Sequence, residues 1–136
     1  MPELRKDPIL GRWVIIASER AKRPNDFKPP APAPAQAETC PVCDGNEAST
    51  PPEIFAMRSN QSQRDQRDWQ VRVVPNKFPA LAIEGSINKR GNGVYDQMRG
   101  VGAHEVIIET PQHVHSMAPI PAEQIQKVIH TYKQRL

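Results

Sequence analysis

Apolar residues along this chain gather into a few short runs separated by long polar stretches. Trp13-Val14-Ile15-Ile16-Ala17 is the longest uninterrupted run. It is rich in β-branched residues and follows a Gly11-Arg12 turn, which predicts a strand over 13–18. A run without alternation predicts burial on both faces. Residues 69–73, Trp-Gln-Val-Arg-Val, alternate with period two, the pattern of a half-buried strand, and Val74-Pro75 closes it. A third strand is predicted over 103–109, centred on Val106-Ile107-Ile108, with Thr110-Pro111-Gln112-His113 turning out of it. From Pro121 onward Ile125, Val128, Ile129, Tyr132 and Leu136 recur at helical spacing, so an amphipathic helix is predicted with Pro121 at its first turn. That helix has no glycine, asparagine or proline stop, and its pattern predicts a polypeptide that continues past Leu136.

Between these elements the composition changes character. Residues 20–28 are basic, and 29–38 is proline-rich and predicted to be an exposed, polyproline-like connector. Residues 58–68 read as a polar surface loop without chemistry, and 84–102, which holds five of the seven glycines, reads as one long loop. The 15 prolines and only seven aromatic residues predict frequent turns around a thin, mostly aliphatic core.

A length of 136 residues allows one domain of ordinary size. The net charge of +3 is spread along the chain, so neither a nucleic acid nor a membrane surface is demanded as partner. The five-residue apolar run falls far short of the roughly 20 residues of a membrane-spanning helix. The start, Met-Pro-Glu-Leu-Arg-Lys-Asp, lacks the apolar stretch of a secretory leader, and a cytoplasmic, reducing location is expected, where two cysteines make no disulfide scaffold.

The densest chemistry lies at Cys40-Pro41-Val42-Cys43. Two thiols three residues apart, followed by the Asp44-Gly45-Asn46 turn, form half of a zinc site. A redox pair and two plain core thiols remain as alternatives. The histidines are His104, His113, His115 and His130; His113 and His115 would share a side if the segment were a strand, which Pro111 opposes. Arg23, ahead of Pro24, offers a guanidinium fork to phosphate, and Asn76 beside Phe78 at a strand end can hydrogen-bond and stack on a base. No glycine-rich phosphate loop and no serine nucleophile elbow is present.

Taken in order, Glu3-Leu4-Arg5-Lys6-Asp7-Pro8 with Gly11-Arg12-Trp13-Val14, Arg20-x-x-Arg23-Pro24, Cys40-Pro41-x-Cys43, Val73-x-Pro75-Asn76-Lys77-Phe78-Pro79-Ala80-Leu81 and Gly102-x-His104-Glu105-Val106-Ile107 resemble the amino-terminal part of the galactose-1-phosphate uridylyltransferase family, of the histidine-triad superfamily. The resemblance implies an α+β fold, here an incomplete histidine-triad-like half with an antiparallel sheet and a C-terminal helix. It implies exchange of a nucleotidyl group between UDP-glucose and galactose 1-phosphate through a uridylyl-histidine, which is a double displacement. Zinc is the implied cofactor, held by Cys40, Cys43 and His113. Arg23 would lie near the nucleotide phosphates, with Asn76 and Phe78 around base and ribose. The family's His-Pro-His-Pro-His-Gly-Gln signature, with the nucleophile and a fourth zinc ligand, is expected beyond residue 136, so no catalytic residue is assigned within the chain. The implied partners are UDP-glucose and a hexose 1-phosphate, in a complete enzyme that forms a homodimer. An ADP-sugar phosphorylase or adenylyltransferase of the same family is the alternative, and a non-catalytic zinc and nucleotide-binding module is the alternative of another class. Lys77 and Gln112 stand where some members carry acidic residues.

Overall fold

In a computed structural model, residues 1–22, 36–59 and 61–136 are described. Seven strands and one α-helix, besides three short 3-10 turns, occur among them: β1 (Glu3–Lys6), β2 (Trp13–Ile16), β3 (Phe55–Arg58), β4 (Trp69–Pro75), β5 (Arg90–Asn92), β6 (Tyr95–Arg99), β7 (Glu105–Ile108) and α1 (Ala122–Arg135). All strand pairs within the two sheets are antiparallel, which with α1 makes the fold α+β as expected. The chain divides into two compact units, Met1–Pro30 with Phe78–His104, and Ala31–Lys77 with Glu105–Leu136.

The first unit is built on a four-stranded sheet in the order β2-β1-β6-β5. The β1–β2 hairpin turns through Asp7, whose backbone amide donates to Arg12 O at 2.8 Å, and Gly11 takes φ +69°, a left-handed conformation that glycine adopts without steric cost. The predicted strand at 13–18 is present but shorter, and its predicted burial does not hold. Val14, Ile15 and Ile16 are exposed. β2 is an edge strand paired only with β1, so its apolar character comes from β-propensity rather than from enclosure within this unit.

The loop expected over 84–102 also needs correction, because β5 and β6 pair within it with Asn92 opposite Tyr95. Gly93, at φ +60°, is the first residue of a two-residue connection, the position that a type II′ hairpin turn reserves for glycine. Glycine density hid a short hairpin whose strands carry little apolar residue to mark them.

In the second unit a three-stranded sheet runs β3-β4-β7. β4 is central. Trp69, Val71, Val73 and Val74 are buried, and so is Arg72, at 1% exposure. The half-buried reading of 69–73 is therefore wrong at Arg72. The strand is covered on both faces because the guanidinium is taken into a closed polar network. It donates from Nε to Glu53 at 3.0 Å, from Nη1 to Thr50 Oγ1 at 2.7 Å and from Nη2 to Asp65 at 3.0 Å. Arg58 adds a second cation 2.9 Å from Glu53. Asp65 belongs to the loop read as free of chemistry, and it also accepts the Glu53 amide at 2.7 Å.

α1 begins after Pro121 as predicted and packs against β4. Its buried stripe is narrower than the apolar pattern. Val128 and Thr131 are buried, whereas Ile129, Tyr132 and Leu136 are exposed. The Gln124 amide helps seat it, reaching the backbone oxygens of Gln70 and Glu109, each at 2.7 Å. Tyr132 donates to Glu109, and Arg135 pairs with Glu105 at 2.8 Å, both on the β7 side.

Candidate metal centre

The two cysteines occupy a tight turn whose shape follows from its sequence. The Cys43 amide donates to Cys40 O at 3.3 Å, and the Asn46 amide returns to Cys43 O at 3.2 Å. Gly45 supplies the left-handed φ of +96° that reverses the chain, and Arg67 lies against it so closely that a Cβ there would fall 2.1 Å from the guanidinium. Asn46 then folds its side-chain amide back onto the carbonyl of Cys40 at 2.7 Å, near those of Glu38 and Ala37. These contacts aim both thiols to one side.

His113 approaches from the segment after β7. Its Nδ1 stands 3.2 Å from Cys43 Sγ, across a sequence separation of 70. The Asp44 amide donates to Pro111 O at 3.2 Å and ties the two segments directly. Cys40, Cys43 and His113 thus form the one metal-capable cluster among the described residues, with ligand atoms all within 4.8 Å of one another. Tetrahedral ligation with metal–sulfur and metal–nitrogen bonds of about 2.3 and 2.05 Å places ligand atoms roughly 3.6–3.8 Å apart. The observed spacing matches to a few tenths of an ångström at the Cys43–His113 pair. The cluster borders a cavity of about 270 Å³ lined also by Val42, Val106 and Gln112.

Burial sets the protonation of the inner thiol. Burial pushes the Cys43 thiol up to about 11, and the adjacent Cys40 adds to this, so without a positive charge nearby the thiol keeps its proton at neutral pH. A metal ion would draw out the thiolate and release that proton. Below the turn, Glu47 is buried. Burial alone would raise its carboxyl, but bonds from the Gly45 amide and the Trp69 indole, with the Arg72 charge, outweigh this and hold it below the usual range.

The other residues singled out in the sequence fare differently. Arg23 and residues 29–35 of the proline-rich connector lie outside the described residues. Asn76 follows β4 in the second unit, while Phe78 opens the returning segment of the first, both half-buried. His115 stacks edge-on against His113, with ring centroids 5.4 Å apart and no strand beneath them. His104 accepts the Ala80 amide at Nδ1, 2.8 Å away, and so fixes the chain just past Phe78. The sequence places Asn46 in the turn after the cysteines, as observed, but gave no role to Glu47; an acid directly after the Cys-x-x-Cys turn was the available signal.

A cysteine–histidine cluster beside a three-stranded antiparallel sheet with one α-helix defines a class that comparison with known proteins makes specific. The chain belongs to the family described as galactose-1-phosphate uridyl transferase, N-terminal domain, which it matches over residues 1–136. Within reach of that match, ADP-glucose phosphorylase from Arabidopsis thaliana is 37% identical over 140 residues, covering 99% of this chain and 38% of that protein. Galactose-1-phosphate uridylyltransferase from Thermotoga maritima is 25% identical over 136 residues, 99% of this chain and 35% of the relative. The crystal structure of the Arabidopsis ADP-glucose phosphorylase with bound ADP-glucose superimposes with a TM-score of 0.53 at 33% identity, over 99% of this chain and 37% of the other. The chain therefore spans a little over a third of the relatives it matches, and its family is one of nucleotidyltransferase-type enzymes. No described helix is long and apolar enough to cross a membrane.

Proposed function

We propose that these residues form the amino-terminal portion of an enzyme that transfers a nucleoside monophosphate between a nucleoside-diphosphate sugar and a phosphate acceptor, with a structural zinc ion held by Cys40, Cys43 and His113. The observation that carries this reading is the convergence of Cys40 and Cys43 with a histidine 70 positions beyond Cys43, in a chain whose family membership covers its whole length. Two thiols and an imidazole suit zinc in softness and in spacing. Bound there, zinc would staple the segment after β7 to the cysteine turn. Arg23 would neutralise phosphate charge, Asn76 would hydrogen-bond the base or ribose, and Phe78 would give it an apolar face. The nucleophile lies outside these residues in this reading, so the chain alone transfers nothing.

The higher identity to the ADP-glucose phosphorylase than to the uridylyltransferase favours an ADP-sugar with inorganic phosphate as acceptor. The family description supports the second reading, UDP-glucose with galactose 1-phosphate. The test expresses the longest reading frame that includes residues 1–136 and follows release of glucose 1-phosphate from each nucleotide sugar with each acceptor. Faster turnover of ADP-glucose with phosphate supports the first reading; the reverse selects the second, and turnover of neither refutes both. The 136-residue chain, given radiolabelled UDP-glucose or ADP-glucose, should take up no covalent label, and stoichiometric labelling would overturn the assignment of the nucleophile.

A further inference from the structure

Glu47 is the buried acid that the metal reading leaves without a task. It opens a short 3-10 turn, Glu47–Ser49, immediately after the cysteine turn, and it is 7% exposed. A carboxylate is driven out of such a place unless its oxygens are hydrogen-bonded. Its Oε1 accepts two bonds, from the Gly45 amide at 3.0 Å and from the Trp69 indole Nε1 at 2.8 Å. The first donor lies inside the cysteine turn. The second is the first residue of β4, itself buried. One oxygen atom therefore joins the turn to the central strand of the sheet.

That strand leads to the third ligand. β4 pairs with β7 in the register Arg72 to Ile108 and Val73 to Ile107, and the chain leaves β7 toward His113. Asn46 fixes the turn internally through Cys40 O, whereas Glu47 fixes it to the framework that also carries His113.

We infer that Glu47 is a positioning residue for the metal centre, holding the Cys40–Cys43 turn at the distance from His113 that ligation requires; this rests on the zinc reading above. Losing a residue that orients metal ligands weakens metal binding by roughly 10–100-fold. Zinc affinity, measured by competition with a chromophoric chelator, should fall by that factor in Glu47→Ala, with loss of hydrogen-exchange protection at the Gly45 amide. Glu47→Gln keeps a carbonyl oxygen able to accept both bonds and should restore affinity to within about threefold of the parent. Trp69→Phe, which keeps the ring and removes only the N–H, should weaken binding without adding to the effect of Glu47→Ala. A Glu47→Ala chain that binds zinc like the parent, or a Glu47→Gln chain no better than Glu47→Ala, overturns the inference. These variants are made in the longest reading frame that includes residues 1–136, and a parent protein of that length that binds no zinc refutes the zinc reading itself, and the inference falls with it.

Discussion

Replacing Arg72 by Met tests whether the second unit depends on its buried charges. The substitution keeps the length of the side chain at a site 1% exposed and removes the guanidinium from Glu53, Asp65 and Thr50. Hydrogen bonds to charged partners contribute roughly 1.5–3 kcal/mol each, so the two carboxylate bonds bound the loss between about 3 and 6 kcal/mol. Two features favour the lower end. Glu53 retains Arg58 at 2.9 Å, and Asp65, with 36% of its side chain exposed, can rehydrate. A loss of about 3 kcal/mol is expected in urea unfolding at pH 7, at the low end for breaking a buried pair. Adding Glu53→Gln to Arg72→Met should cost less than Glu53→Gln alone, because the partners act as one network. The acid limb gives a further readout. Burial raises the Glu53 and Asp65 carboxyls, but bonds from Arg58, Arg72 and the Glu53 amide outweigh it and leave both below their ordinary values of 4.5 and 3.8. As the pH falls through those ordinary values the unfolded chain takes up protons first. The stability these groups contribute is complete above about 4.5 and drains away below it, more gently in Arg72→Met. A loss under about 1 kcal/mol, with an unchanged acid limb, would show that water already reaches these carboxylates and would refute the argument.

Zinc at a hundred times its dissociation constant should raise the unfolding free energy by about 2.7 kcal/mol, and Cys40→Ser or His113→Ala should abolish the gain; an equal gain in either variant would place the metal elsewhere. Tyr132, whose hydroxyl is pinned to Glu109, is pushed up to about 12, so phenolate absorbance should show a late step there that disappears in Tyr132→Phe. Because its folded value lies above the ordinary 10.0, its stabilising share is complete below pH 10 and vanishes as the pH climbs toward 12, which alkaline unfolding curves of the two proteins would reveal.

What the sequence disclosed depended on how local each cause was. The helix after Pro121 and the strand around Val106-Ile107-Ile108 are written in side-chain periodicity and emerge where expected. Val14-Ile15-Ile16 carries the composition of an interior strand, yet burial is decided by which strands flank it, and this one has a single neighbour. Arg72 reads as a solvent-facing position until Glu53 and Asp65, 19 and 7 residues away, close over it. The cysteine turn is legible from four residues, whereas pairing it with His113 rather than His104, His115 or His130 needed the family resemblance, because spacing says nothing across 70 residues.

That separation has a consequence for the order in which the cluster is made. Both thiols leave the ribosome long before the imidazole, and at about 5–20 residues per second an interval of roughly 4–14 s separates Cys43 from His113. In that interval the cysteine turn stands as a two-thiol hook with neither β7 nor the histidine to back it. On the zinc reading proposed above, a nascent chain passing through this window would be open to oxidation and to capture of another soft metal, so the cell's thiol and metal buffers, rather than the finished fold, would govern what first occupies the hook.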